Sequence, residues 1–362
     1  MTNYTLYDSL MSYFTGKARA YLDWKGVDYT EIPPTPDIMK NEIIAKVGWP
    51  VIPVLKTPDG RTVQDTADII AEIEAAEPTP PVLPGGPVQR FASYLIQLFA
   101  DEWLTIPAMH YRWNHNEEWI YTQFGKSAAP GASPEQQYEA GKAVGQRFRG
   151  FVPVLGVSEA TIPGIEASYE AFLADFSAHL EQHDYVFGGR ASFADFALYG
   201  PLFAHQYHDL NSGELMKRIA PRVAAWVERL IAGAPASGPL LADDQIPETL
   251  LPILARQMGE QLPVLLATND MLGIWAKDAE PLEDLPRGFE MTPFTTGGHS
   301  GMCMARTFPL LRLQSALDAR DALDQDARTR ADDLLDKTGG TALKSLSLTA
   351  RLTRRNYRLA LA

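Results

Sequence analysis

Hydrophobic and polar positions form short alternating blocks over the first 76 residues. Tyr4–Tyr7 and Asp28–Ile32 are short and rich in β-forming residues, which predicts two strands. Between them, Ala18, Tyr21 and Leu22 fall on one face of a helix. The predicted order of this first part is therefore strand, helix, strand.

A hairpin and a second helix are predicted to follow. Val54–Lys56 and Arg61–Val63 are strand candidates, and the Thr-Pro-Asp-Gly sequence between them supplies a fixed φ and a residue that accepts a positive φ. Residues 66–74 then carry three isoleucines at helical spacing. The first part thus reads β-α-β followed by β-β-α.

Proline interrupts these patterns at residues 77–87, where five prolines and two glycines exclude a helix or a central strand. We interpret this stretch as a linker. After it, helical patterns dominate in Val88–Trp119, Ile165–His183 and Phe193–Tyr207. The second part is therefore predicted to be mostly α-helical.

A third segment begins near residue 236 and continues the helical patterns. Leu250–Trp275 predicts a helix broken near Pro263, Phe308–Leu323 and Arg328–Leu335 predict shorter helices, and Phe289–Met304 predicts a hairpin around a glycine-rich turn. We therefore expect a mainly helical extension. The predicted boundaries are 1–78 for the first domain, 79–87 for the linker, 88–235 for the all-helical domain and 236–362 for the extension.

Composition and charge exclude several classes of function. The chain is 46% apolar but has no apolar run near the ~18 residues that cross a bilayer, so we expect no membrane partner. A net charge of −13 argues against a general nucleic-acid binder, because phosphate contacts need clustered Lys and Arg. The N-terminus lacks a signal-peptide pattern and Cys303 is the single cysteine, so we expect a cytoplasmic protein without an internal disulfide.

One basic cluster departs from this acidic average. Arg351, Arg354, Arg355 and Arg358 lie close together without a nearby acidic residue in the sequence. Two interpretations stay open. The cluster either contacts an anion such as RNA, or it neutralises the acidic surface of the chain itself.

Four short sequences, taken together and in this order, resemble the soluble, cytosolic-type glutathione transferase superfamily. They are Ser12-Tyr-Phe-Thr-Gly-Lys-Ala-Arg19 with Gly26, then Val51-Ile-Pro-Val-Leu55, then Asp65-Thr66, and finally Ser192-Phe-Ala-Asp195. The resemblance covers residues 1–235. It implies an α/β thioredoxin-like N-terminal domain, an all-α C-terminal domain, and glutathione bound where they meet.

The resemblance also implies contacts for glutathione. Ile52, which precedes a cis Pro53, would pair with the cysteinyl unit as an added strand, since proline lacks an amide hydrogen and leaves the edge open. Asp65 and Thr66 begin a helix whose free amides suit the γ-glutamyl carboxylate. Asp65 would form an ion pair with the ammonium of the same γ-glutamyl group. The alternative is a purely structural proline loop and an ordinary helix cap.

The remaining parts of the site are assigned to two other segments. Lys40 or Lys46 would hold the carboxylate at the glycine end of glutathione, unless the lysine is simply solvated. Tyr111, Arg112 and Trp113 are assigned to the substrate pocket, because concave apolar walls with few polar groups suit an electrophile. The alternative for these three residues is packing in the core.

Ser12 is the predicted reactive residue. It stands seven positions before Arg19, the spacing that the resemblance implies for serine-type and cysteine-type transferases. Its hydroxyl would donate to the sulfur of glutathione and lower the pKa of the thiol. Tyr7 and Tyr13 are held in reserve for this role. The alternative is that Ser12 only caps the helix.

Two other chemistries are not supported by the sequence. The turn at Ser12 contains no Cys-x-x-Cys pair, which excludes disulfide exchange through a protein thiol at this place. His205 and His208 lie three residues apart, but the sequence suggests no third ligand, so no metal site is predicted.

The sequence therefore predicts a serine-type glutathione transferase that conjugates the glutathione thiolate to an electrophilic, apolar small molecule, as in detoxification. Isomerisation or ether cleavage through the same thiolate would look alike in sequence. The alternative class is a non-catalytic module that binds glutathione or a peptide and serves protein association. The resemblance implies a homodimer, and residues 236–362 would cap the cleft, alter that dimer or bind another protein.

Overall fold

The computed structural model describes residues 3–234 and 236–362. The chain forms two compact units, each assembled from three segments that alternate along the sequence. The first unit contains Met1–Val82, Ala108–Val152 and Phe196–Ser237, and the second contains Leu83–Pro107, Pro153–Asp195 and Gly238–Ala362. The predicted domains at 1–78, 88–235 and 236–362 instead follow the chain in order, and their boundaries stay a prediction.

A four-stranded sheet lies in the first unit. Its strands are β1 (Tyr4–Tyr7), β2 (Tyr29–Ile32), β3 (Val54–Lys56) and β4 (Thr62–Gln64). Their order is β2-β1-β3-β4, with β1 parallel to β2 and the other neighbouring pairs antiparallel. Leu6 lies opposite Leu55, and neither side chain is exposed. The four strands lie within one residue of their predicted bounds, in the arrangement expected of a thioredoxin-like domain.

Helices of the same unit accompany this sheet. They are α1 (Tyr13–Lys25), α2 (Pro36–Ile38), a π-helix (Met39–Ile44), α3 (Ala45–Val47) and α4 (Thr66–Ala76). Gly26 ends α1 in the left-handed conformation with φ 74°, which a glycine adopts without steric cost. The Tyr21 hydroxyl and the Lys25 ammonium both donate to Glu74 at 2.7 Å, so a shared carboxylate connects α1 to α4.

The helices that follow agree with the predicted all-α character of the second part and the predicted mainly helical character of the extension. They are α5 (Pro87–Glu102), α6 (Thr105–His115), α7 (Glu117–Ala128), α8 (Pro134–Arg149), α9 (Ile162–His179), α10 (Phe193–Pro201), α11 (Leu210–Ile219), α12 (Pro221–Ile231), α13 (Leu251–Glu260), α14 (Leu262–Trp275), α15 (Phe308–Asp321) and α16 (Gln325–Thr338). Over the described residues, no helix has both the length and the apolar character that crossing a bilayer requires.

The hairpin of α7 and α8 packs backbone against backbone. A β-carbon at Gly141 would lie 1.8 Å from the Tyr121 carbonyl oxygen, and one at Gly125 would lie 2.0 Å from the Gln137 carbonyl oxygen. Both distances are far inside van der Waals contact. Only glycine therefore allows the two helices to approach this closely.

Helix α10 changes type where it meets a proline. Pro201 has no amide hydrogen, so the regular α-helical hydrogen bond is missing there. The chain continues as a π-helix over Leu202–Tyr207, and the His208 amide donates to the Phe203 carbonyl five residues earlier at 2.9 Å. The predicted helix Phe193–Tyr207 has the observed length, but its last six residues form a π-helix and not an α-helix.

Two hairpins accompany the helices of the second unit. The first joins β5 (Gly288–Thr296) to β6 (His299–Arg306) and confirms the predicted glycine-rich hairpin. Its turn residues Gly297 and Gly298 have φ 52° and 81°, as the tight hairpin turn requires. The second joins β7 (Leu352–Arg355) to β8 (Arg358–Leu361) and was not predicted.

The basic cluster lies on this second hairpin and contacts acidic side chains. Arg351 forms two hydrogen bonds with Asp318, at 2.6 and 2.7 Å. Arg355 and Arg358 lie 3.8 and 3.9 Å from the carboxylate of Asp284. These contacts favour the interpretation that the cluster neutralises the chain's own acidic surface.

Glu260, at the end of α13, collects hydrogen bonds from three other parts of the second unit. It accepts from the Trp103 indole at 3.2 Å and from the Ser168 hydroxyl at 2.8 Å. It also accepts from the Thr296 hydroxyl at 3.0 Å and the Gly297 amide at 3.1 Å. One half-buried carboxylate thus fixes the β5-β6 turn to the helices.

Candidate active site

The topology of the sheet brings three separate parts of the sequence to one edge. Tyr7, at the end of β1, pairs with Val54, at the start of β3. Val54 also pairs with Gln64, at the end of β4. The segments that carry Ser12, Pro53 and Asp65 leave the sheet at these three points. Residues that are up to 53 positions apart in the sequence are therefore brought to one end of the sheet.

Ser12 is the N-cap residue of α1, and its hydroxyl takes part in that cap only as an acceptor. Its backbone is extended, with φ −89° and ψ 126°, and its hydroxyl oxygen accepts from the Thr15 amide at 3.3 Å. Accepting this bond leaves the hydroxyl hydrogen available to donate. The side chain is half-buried rather than enclosed. The predicted capping role and the predicted thiolate contact are therefore compatible.

The Ile52–Pro53 peptide bond is cis, as the resemblance implied. Pro53 is buried and Ile52 is half-buried. The pairing of β3 with β1 and β4 starts only at Val54. Ile52 therefore precedes the ladder, at the end of the sheet where Ser12 lies.

Asp65 holds an uncommon backbone conformation at the start of α4. Its φ is 85° and its ψ is 136°, a region that side chains other than glycine rarely adopt, and its carboxylate accepts from the Ala67 amide at 2.9 Å. Such strain persists where the surroundings demand it and is concentrated at functional sites. Thr66 is only 2% exposed, and its hydroxyl makes no hydrogen bond. The segment thus combines a helix N-terminus with an unsatisfied polar group.

The residues held in reserve are engaged elsewhere. The Tyr7 hydroxyl donates to Glu42 at 3.3 Å, and burial together with the Glu42 charge raises the pKa of Tyr7. Tyr13 is 6% exposed, with its ring edge-on to His205 at a centroid distance of 5.5 Å. Ser12 is therefore the best placed hydroxyl of the three candidates.

Lys40, which is assigned to the glycine carboxylate of glutathione, lies exposed on the π-helix Met39–Ile44.

The assignment of Tyr111, Arg112 and Trp113 to a substrate pocket needs correction. Their exposed fractions are 4%, 3% and 1%. The Trp113 ring packs against Tyr121 and Phe124 in the interior of the first unit. Side chains enclosed in this way belong to the core and do not line an open pocket.

Arg112 is the most highly connected of these residues. Its guanidinium donates to both carboxylate oxygens of Asp209, at 2.7 and 2.8 Å. It also donates to the Met11 carbonyl at 2.7 Å and to the Ala204 carbonyl at 2.8 Å. Four of its five N–H donors are committed in this way and the side chain is enclosed, which argues against a role in polarising a substrate.

A buried carboxylate at the same end of the sheet was missed from the sequence. Asp8 follows β1 directly, is 4% exposed, and forms an ion pair with Arg19, which also donates to Glu31 at 2.6 Å. Burial raises the pKa of Asp8 to about 6, although Arg19 opposes the shift. In the sequence, Arg19 serves only as the reference point for locating Ser12. Its acidic partner directly after β1 is not recognised there.

The two histidines considered as a metal pair lie against aromatic rings. His205 is 5% exposed, and burial lowers its pKa well below the usual value. His208 packs on Trp119 with a ring-centroid distance of 5.5 Å, and burial lowers its pKa as well. Both rings are therefore neutral at pH 7.

Several solved structures are similar to the chain at low identity. A glutathione S-transferase from Rhodospirillum rubrum F11 is 19% identical, with 68% of this chain and 96% of that chain covered and a TM-score of 0.41. A beta-etherase from Sphingobium sp. strain SYK-6 is 20% identical, with 64% and 96% covered and a TM-score of 0.46. A glutathione S-transferase from Methylobacterium radiotolerans, in complex with glutathione sulfonate, is 18% identical, with 66% and 98% covered and a TM-score of 0.41.

Family models give the clearer assignment. No curated protein matches the sequence. Residues 6–81 match the N-terminal domain of glutathione S-transferase, and residues 159–229 match its C-terminal domain. The first match contains β2, β3, β4 and the last two residues of β1, together with Ser12, Pro53 and Asp65. The chain belongs to the glutathione S-transferase superfamily.

Proposed function

We propose that this protein is a glutathione-dependent enzyme of the serine type, which conjugates the glutathione thiolate to an electrophilic, apolar small molecule. One observation carries the proposal. Ser12, Pro53 and Asp65 leave the sheet at one edge, and Ser12 accepts a backbone hydrogen bond while keeping its own proton to donate. Family membership supports glutathione as the ligand.

The energetics of thiolate formation suit these residues. A free thiol has a pKa of about 8.5, and lowering it by two units requires about 2.7 kcal/mol of preference for the thiolate. A hydrogen bond to a charged group contributes roughly 1.5–3 kcal/mol, and a helix N-terminus adds roughly 0.3–1 kcal/mol. Ser12 at the start of α1 offers both effects. The thiol proton would leave to solvent, and the sulfur would then attack the electrophilic carbon as its leaving group departs.

The reactive sulfur must come from a ligand. Cys303 is the single cysteine, it is 4% exposed, and burial raises the pKa of its thiol to about 11. Such a thiol is almost wholly protonated at neutral pH and is a poor nucleophile. The protein's own cysteine therefore does not replace glutathione.

The peptide would be held by backbone and helix ends. Ile52 would pair with the cysteinyl unit, and the N-terminus of α4 at Asp65 and Thr66 would receive the γ-glutamyl group. The unsatisfied Thr66 hydroxyl favours a polar ligand at that end. Lys40 remains the proposed contact for the glycine carboxylate. The homodimer and the role of residues 236–362 stay predictions.

Calorimetric and ultraviolet-difference titrations test this proposal. We expect the wild type to bind glutathione and to lower the pKa of its thiol. Ser12→Ala should keep binding but return the thiol pKa by one to two units toward about 8.5. Ser127→Ala, which removes a half-buried hydroxyl from α7 of the same unit, is the matched control and should leave the thiol pKa unchanged.

The outcomes separate the two classes of function. Binding with an unshifted thiol pKa in the wild type would favour the non-catalytic binding module. Absence of glutathione binding would overturn both interpretations. Isomerisation and ether cleavage would be distinguished afterwards by product analysis, because each uses the same thiolate.

A further inference from the structure

We infer that Arg112 is a positioning residue that holds the reactive turn of Ser12 in place, together with its partner Asp209. The inference deepens the proposed function and rests on it, since Ser12 is the group being positioned. It starts from one contact. The Arg112 guanidinium donates to the carbonyl of Met11, directly before Ser12, at 2.7 Å.

Both polar groups of the Met11–Ser12 peptide are held. Arg112 fixes its carbonyl oxygen, and the Ser12 amide donates to the Ser9 carbonyl at 2.9 Å. Because a peptide unit is planar, fixing its oxygen and its nitrogen fixes the orientation of the whole plane. The carbonyl of Ser12 itself accepts from the Gly16 amide at 3.1 Å, so the peptide after Ser12 is held as well. The two peptides together set the direction in which the Ser12 side chain leaves the backbone.

The far side of Arg112 is anchored equally firmly. It donates to both oxygens of Asp209 and to the carbonyl of Ala204, at 2.7 to 2.8 Å. Ala204 lies in the π-helix Leu202–Tyr207, near the end of a helix where carbonyls lack partners within the helix. The guanidinium therefore connects the reactive turn to the end of this helix.

Burial makes the connection rigid. Arg112 is 3% exposed and Asp209 is unexposed, so water cannot substitute for either partner. A buried charge without its partner is costly, which disfavours any motion that separates the pair. Only arginine supplies several donors in one fixed plane, and lysine at this position would reach at most part of the set.

A second contact supports the turn from the same π-helix. The ring of His205 packs edge-on against Tyr13, the residue after Ser12, at a centroid distance of 5.5 Å. The residues on both sides of Ser12 thus contact the same short segment. A change in the π-helix would be transmitted to the hydroxyl that faces the sulfur.

Arg112→Lys tests the inference, with Arg149→Lys as the control. Arg149 is an exposed arginine of the same unit that pairs with Glu117. In Arg112→Lys, with an activated aryl chloride as the electrophile, we expect the thiol pKa of bound glutathione to rise by about one unit and kcat to fall roughly tenfold, while the dissociation constant for glutathione changes less than about twofold. Arg149→Lys should match the wild type in all three quantities.

Hydrogen exchange provides a readout that does not depend on a variant folding. In the wild type the Ser12 amide should be protected to a similar degree as the amides of α6. Exchange as fast as in an exposed loop would overturn the inference. So would a folded Arg112→Lys variant with wild-type thiol pKa and kcat, since this would leave Arg112 only a structural role.

The failure of the proposed function would look different. In that case the wild type itself would bind glutathione without lowering its thiol pKa, or would not bind it. Protection of the Ser12 amide, and its loss in Arg112→Lys, would still report whether Arg112 holds the turn.

Discussion

A charged side chain gathers hydrogen bonds from several elements in each compact unit, Arg112 in the first and Glu260 in the second, and the two differ in burial. Arg112 in the first unit is 3% exposed and faces the full negative charge of Asp209. Glu260 in the second unit is half-buried and accepts from neutral donors. A charged side chain can be fully buried where an oppositely charged group pairs with it. Without such a partner it stays partly exposed to water. The comparison predicts unequal costs when each group is removed.

The largest effect is expected for Arg112→Met. The variant leaves the unexposed Asp209 carboxylate without its partner, and breaking a buried pair costs about 3–5 kcal/mol. Guanidinium chloride unfolding would measure the loss. The double variant Arg112→Met, Asp209→Leu should recover much of it, because no charge then remains buried. Equal losses in the single and double variants would contradict this account.

His179 sharpens the comparison because it is buried without an opposite charge. Its ring lies between the Thr249 hydroxyl at 2.8 Å and the Tyr185 carbonyl at 3.2 Å, and it is unexposed. Burial lowers its pKa from 6.5 to about 4. The histidine therefore stays neutral in the folded state where the unfolded chain is already protonated.

The sign of the pH effect follows from this shift. Above pH 6.5 the contribution of His179 to stability is fully present, and it is lost as the pH falls toward about 4. The loss amounts to about 3 kcal/mol. Between pH 7 and pH 4, the free energy of unfolding should therefore depend less steeply on pH in His179→Gln than in the wild type. Identical slopes would contradict the prediction.

A smaller effect is expected for Glu260→Gln. The amide keeps one acceptor oxygen but turns an NH₂ group toward donors, which should cost about 1–2 kcal/mol. The loss should be local, so hydrogen exchange at the Gly297 amide should accelerate. Glu290→Gln, on the exposed part of β5, is the control and should not change that exchange.

The smallest effect is expected for Arg351→Gln. Arg351 makes the same two-bond contact with a carboxylate as Arg112, but 63% of its side chain is exposed. An exposed pair of this kind contributes less than about 1 kcal/mol and is screened by salt. Unfolding at low and high ionic strength would measure it. A loss as large as that of Arg112→Met would remove burial as the explanation of the difference.

Local patterns predicted the strands and most helices well. The β-rich runs at β1 and β2, the Thr-Pro-Asp-Gly turn and the isoleucine stripe of α4 each depend on neighbouring residues. Ser12, Pro53 and Asp65 could be named because the short sequences around them resemble those of glutathione transferases. Their meeting at one sheet edge then follows from the strand order.

Long-range partners could not be predicted in this way. Arg112 lies among aromatic residues, and nothing local indicates that its partner Asp209 is 97 positions away. The same limit applies to the interleaved units and to the β7-β8 hairpin. That hairpin turns at Asn356 and Tyr357, whose φ values of 49° and 63° are unusual for a tyrosine.

The π-helix at Leu202–Tyr207 has a consequence for comparing this chain with its relatives. A π-turn spans one residue more than an α-turn, so the residues after it are shifted by one position relative to an unbroken helix. For a relative whose helix is unbroken here, an alignment drawn without a gap would pair Asp209 with the wrong residue. Whether relatives share the arginine–aspartate pair should therefore be judged by superposing the π-helix, not by matching letters.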